Sequence, residues 1–129
     1  MQVTGSDSMY YVIYRGEPVG RSKLKGRDRG MAVAYGDFEP LPAYNAVRPV
    51  FQLFIQAVDE SSGRAQGADE KKLAQYYQER DALQLTLQDA DGHLIQTSWI
   101  HVDDYGDLGR EMSAQISDAS FWDESASSE

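Results

Sequence analysis

The chain contains no cysteine among its 129 residues. Disulfide staples, thiolate-bound zinc, iron–sulfur clusters and thiol nucleophiles are therefore excluded. Histidine is nearly absent too, with only His93 and His101. On one extended run their eight-residue separation spans roughly 26 Å at ~3.3 Å per residue, too far to share a metal. No apolar run approaches the ~18 residues of a membrane span. The first residues lack the basic and apolar regions of a secretion signal, so the sequence predicts a cytoplasmic protein with no membrane span. The G-x-S-x-G, GxxxxGK[ST] and GxGxxG patterns are missing, and the calcium-loop pattern is not matched. Nothing in the sequence calls for a cofactor or a metal.

Positive charge is also scarce: 12 Lys and Arg stand against 21 Asp and Glu, for a formal net charge of −9. Such a balance repels a phosphate backbone and disfavours nucleic acid as a partner. The bases that exist are concentrated. Residues 15–29 hold six of them (Arg15, Arg21, Lys23, Lys25, Arg27, Arg29) against Glu17 and Asp28, for +4, which leaves six bases and nineteen acids, −13, elsewhere.

With 41% apolar and 26% charged residues the composition is that of a folded globular chain. Its length fits one domain. The reading is a loose leader over 1–8, a single domain over 9–124 and a disordered acidic tail over 125–129. The strongest pattern lies in 43–60, where Val47, Val50, Phe51, Phe54, Ile55 and Val58 make one apolar helical stripe. Pro49 fits if that helix begins near Ala46, which places it in the first turn. A second helix is expected from an N-cap at Asp69 to about Asp81, with Leu73, Tyr76 and Tyr77 inward.

Strands are expected over 9–15, 19–25 and 31–38. In the third, the small face of Ala32, Ala34 and Gly36 would admit a helix. Leu83, Leu85 and Leu87 alternate with polar residues, Asp91-Gly92 supplies a hairpin turn, and 93–102 returns. Residues 110–117 read as a last strand with Met112, Ala114 and Ile116 inward, a helix being the rival. The order β-β-β-α-α-β-β-β gives an α+β fold, a mainly antiparallel sheet of about five to six strands with two helices on one face.

Four features carry chemistry. Alternation puts His101 and Asp103 on one side of a strand end, the most enzyme-like fragment. Asp103, Asp104 and Asp107 crowd the following loop. Arg21, Lys23 and Lys25 alternate on one strand face, with Arg27 and Arg29 continuing the stripe, either as charges that deter edge pairing or as a contact for an anion or an acidic partner. Phe121 and Trp122 could anchor a partner or lock the tail onto its own domain. Together these describe a protein-binding or regulatory module, such as an inhibitor, immunity-like or assembly factor. The alternatives are a binder of a small anionic ligand and a small metal-independent enzyme using a tyrosine, His101 and Asp103; the shortage of catalytic residue types leans away from an enzyme.

Overall fold

A computed structural model describes residues 8–62 and 70–122. Residues 1–7 of the leader expected over 1–8, the inter-helix loop with Asp69, and the tail lie outside the described residues. Strand β1 (Tyr10–Tyr14) turns through Arg15 and Gly16, both at positive φ (52° and 82°), into β2 (Glu17–Ser22). Two consecutive left-handed residues give the turn whose twist matches antiparallel strands. Then follow β3 (Gly26–Asp28), β4 (Val33–Asp37), β5 (Glu39–Pro40) and a 3-10 turn at Pro42–Ala46. Helices α1 (Arg48–Ser62) and α2 (Glu70–Leu83) precede β6 (Thr86–Asp89), β7 (Leu94–Ile95), β8 (Thr97–Asp104) and β9 (Arg110–Ile116).

The domain is α+β and all its strand pairings are antiparallel. The strands form two sheets, ordered β5-β2-β1-β6-β7 and β3-β4-β9-β8. Sequence periodicity suggested one sheet because it cannot register a bend inside a run. The run over 19–28 breaks at Leu24, which has φ 49° and is fully buried. The Ser22 hydroxyl accepts the Leu24 N–H at 3.1 Å, so the bend has its own hydrogen bond. The run over 93–104 likewise divides at Gln96, β7 pairing with β6 and β8 with β9. At Gly36 a Cβ would lie 3.0 Å from Ser22 Oγ and 3.2 Å from Leu24 N. The small face of β4 therefore admits the β2–β3 bend, where a helix had been expected.

Residues 110–116 are a strand, hydrogen-bonded to β4 on one side and β8 on the other. Met112, Ala114 and Ile116 are buried, facing Val102 and Ile100. Helix α1 begins at Arg48 with Pro49 in its first turn, where the missing N–H costs nothing. Val47, Phe51 and Ala57 are buried, while Val50, Phe54, Ile55 and Val58 are half-buried. The helix packs along β8 and against α2. Helix α2 buries only Tyr76, leaving Leu73 half-covered and Tyr77 exposed. No described helix is long and apolar enough to cross a membrane.

Candidate functional site

The bend at Leu24 sets the first polar region. Ser22 and Leu24 are buried, so Arg21, Lys23 and Lys25 fall on the outward side, as their alternation implies. The three line an open cavity of about 530 Å3 at the junction of the two sheets, with Met9, Tyr35 and three acids, Asp37, Glu39 and Glu111. Arg21 makes a bidentate pair with Glu39 at 2.9 and 3.0 Å. This hydrogen bonding holds the Glu39 carboxyl below its ordinary range. The pair is exposed, so its stabilising contribution is small.

The other two bases of the stripe turn elsewhere. Arg27 lies over the Phe121 ring, 4.3 Å from its centroid, and its Nε donates to the Leu24 carbonyl at 2.7 Å. Arg29 lies over Trp122 and donates to its backbone carbonyl at 2.9 Å. Phe121 is only 4% exposed and meets Tyr10 edge-on at 5.4 Å, while the Trp122 indole N–H donates to the Ile116 carbonyl. The aromatic pair thus packs onto its own domain, with Arg27 and Arg29 as the clasp.

The second polar region joins α2 to β8. The Tyr76 hydroxyl bonds His101 Nδ1, and His101 Nε2 bonds Asp103 Oδ1 at 2.7 Å. This network suits the neutral Nε2–H tautomer: the hydroxyl donates to Nδ1 and the ring N–H donates to the carboxylate. Burial raises the pKa of the Tyr76 hydroxyl well above its ordinary value, with Arg80 pulling the other way. Phe54 stands edge-on to the imidazole at 4.5 Å and Phe51 at 6.3 Å. A tyrosine, a histidine and an aspartate do converge, but Tyr76 is fully buried and both ring nitrogens are engaged. No substrate reaches the hydroxyl or either nitrogen without displacing an internal partner. Sequence reasoning could not find Tyr76 as the partner, because 25 residues and a change of element separate it from His101.

The adjacent Asp104 points the opposite way and is 1% exposed at its side chain. It accepts hydrogen bonds from the Tyr44 hydroxyl (2.8 Å) and the Gly106 N–H (2.9 Å). The Nε atoms of Arg48 and Arg110 lie 3.3 and 3.0 Å from its oxygens. Neither Nε meets hydrogen-bond alignment, so the guanidiniums compensate the carboxylate's charge more than its lone pairs. Burial alone would push the Asp104 carboxyl up; the Gly106 N–H, Tyr44 and Arg110 outweigh it and hold the pKa below the ordinary range. For Tyr44, burial and then the bond to Asp104 raise the phenol pKa far above its usual value. Asp103 and Asp104 therefore belong to two different networks, while Asp107 lies exposed in the 3-10 turn Gly106–Leu108.

Comparison with protein-family models, curated proteins and solved structures returned no match. The functional reading rests on the side chains themselves.

Among the described residues, Asp89, Asp91 and His93 bring potential metal-ligand atoms within 4.8 Å of one another. Asp89 Oδ1 accepts the N–H groups of Asp91 and His93, and Oδ2 lies 3.2 Å from His93 Nδ1. These contacts close the hairpin turn at Gly92, whose φ is +88°.

Proposed function

We propose that this is a protein-binding or regulatory module whose contact surface is the corner carrying Arg21, Lys23 and Lys25. The observation behind this reading is that three cations stand outward from a buried bend and line an open 530 Å3 concavity. Three acids share that lining, so its charge is balanced and a small polyanion gains little there. A protein surface presents both signs as well as apolar contact, and here Tyr35 is exposed and Met9 half-exposed beside the charges. Full burial of the Tyr76 hydroxyl, with both His101 nitrogens engaged, weighs against an enzyme built on that chain. In this reading the partner is another protein, met in the cytoplasm. It presents acidic side chains to Lys23 and Lys25 and an apolar contact to Tyr35.

Affinity capture with the wild-type chain and with a chain carrying Arg21→Gln, Lys23→Gln and Lys25→Gln tests this. A partner retained at low salt by the wild type is expected to be lost from the triple variant and to weaken as salt rises. Equal capture by both chains, with the same salt dependence, would overturn the proposal.

A further inference from the structure

A separate cavity of about 340 Å3 lies where the two helices meet the outer side of β8 and β9, lined by Phe54, Tyr77, Arg80, Trp99, His101 and Ser113. Strand alternation places Trp99 and His101 on the same face, and His101 lies directly across from Ser113. Tyr77 and Arg80 are three residues apart on α2, so they project together. Phe54 comes from α1. Among the described residues the wall is thus assembled from four elements, and it contains aromatic rings, the Tyr77 and Ser113 hydroxyls, one cation and no carboxylate.

We infer that this cavity is a binding site for a flat aromatic molecule carrying one negative charge. Cavities of this size take small organic ligands, with apolar walls supplying the contact and a few polar groups fixing orientation. Tyr77 is 46% exposed, unusual for so large a ring and suited to stacking. The Arg80 guanidinium carbon sits 5.2 Å from the Tyr77 centroid and 5.7 Å from that of Trp99, so the rings hold the cation in place. Asp81 accepts from Arg80 Nε and one terminal nitrogen, both through the same oxygen at 3.2 and 3.1 Å. Asp81 uses two of the five N–H donors and the Tyr76 hydroxyl also bonds Arg80, which leaves the remaining donors to take a carboxylate or sulfonate.

The alternative occupant of an aromatic-walled site is a cation. Arg80 opposes that choice, since the only charge among the described wall residues has the same sign. His101 adds no competing donor, because its nitrogens are bound to Tyr76 and Asp103. It offers a fixed ring, which leaves Arg80 and the Ser113 and Tyr77 hydroxyls to read the ligand's polar end.

The test uses 2-naphthoate and its uncharged counterpart 2-naphthylmethanol, titrated into the full chain and followed by amide shifts in two-dimensional NMR. Saturable shifts confined to residues near 77–80, 99–101 and 113 are expected with naphthoate, and the alcohol is expected to bind about tenfold more weakly. Arg80→Gln should abolish that preference for charge, and Tyr77→Ala, at an exposed position, should weaken both compounds with the spectrum otherwise intact. Absence of saturable binding, shifts centred instead on residues 21–26, or equal affinity of the wild type for the two compounds would overturn the inference.

Discussion

The chain from Tyr76 through His101 to Asp103 and the rim of Arg21, Lys23 and Lys25 are both polar, yet they are built in opposite ways. In the first, the Tyr76 hydroxyl and both His101 nitrogens meet internal partners and the tyrosine is fully buried. In the second, charged ends stand in or near water around an open concavity, with the exposed Arg21–Glu39 ion pair on its rim. Buried groups are costly when unpaired, so a satisfied internal chain supports the fold and gives a partner little to bind. A rim of solvated charge adds almost nothing to stability. What it offers is complementarity to another surface.

That contrast can be broken by mutation. The largest effect is expected at Phe51, which is buried beneath the His101 chain and stacks against Tyr44 at 6.5 Å. Phe51→Ala should lower the unfolding free energy by about 4 kcal/mol, as a core truncation, measured by urea denaturation. Half-buried Phe54 should cost less. An equal loss at Phe54 would mean that the helix is rotated from its described position.

Next comes Asp104→Ala, which leaves Arg48 and Arg110 without their carboxylate. About 3 kcal/mol is expected, the lower end for a broken buried ion pair, because both arginines keep partial access to water. Acid titration sharpens this. The folded Asp104 pKa is depressed, so its stabilising contribution is present above the ordinary carboxylate range and lost as pH falls through the folded value. Urea midpoints of wild type and Asp104→Asn, compared at neutral and acid pH, should therefore converge on acidification. A constant gap would show that the carboxylate's charge is not what matters.

At the alkaline end the sign reverses. Tyr44 and Tyr76 have raised folded pKa values, so the unfolded chain ionises first, and stability should fall as pH rises past the ordinary tyrosine range. Tyr44→Phe and Tyr76→Phe should each remove part of that fall.

Much of the secondary structure was legible in the sequence, for reasons that also mark the limits. The stripe from Val47 to Val58 fixes α1 because helical periodicity persists over three turns. Alternation at Met112, Ala114 and Ile116 marks β9, and Asp91-Gly92 marks the β6–β7 hairpin. The second sheet was hidden, since its origin lies in the left-handed Leu24 and in the break at Gln96, and neither residue type signals such a bend. For the polar regions, alternation correctly separates Arg21, Lys23 and Lys25 from Ser22 and Leu24. It also places Asp103 with His101. What alternation cannot supply is a tertiary neighbour: Tyr76 for His101, Tyr44 and two arginines for Asp104, or the Arg27 and Arg29 clasp on Phe121 and Trp122.

The contrast between the internally bonded chain and the open rim is tested most directly by equilibrium urea denaturation of two variants side by side. Tyr76→Phe removes the hydroxyl bound to His101 and is expected to cost about 1–2 kcal/mol. The triple replacement of Arg21, Lys23 and Lys25 by Gln is expected to leave the urea midpoint essentially where it is. The reverse order, a neutral Tyr76→Phe and a triple variant with a clearly lowered midpoint, would contradict the assignment of one region to the fold and the other to recognition.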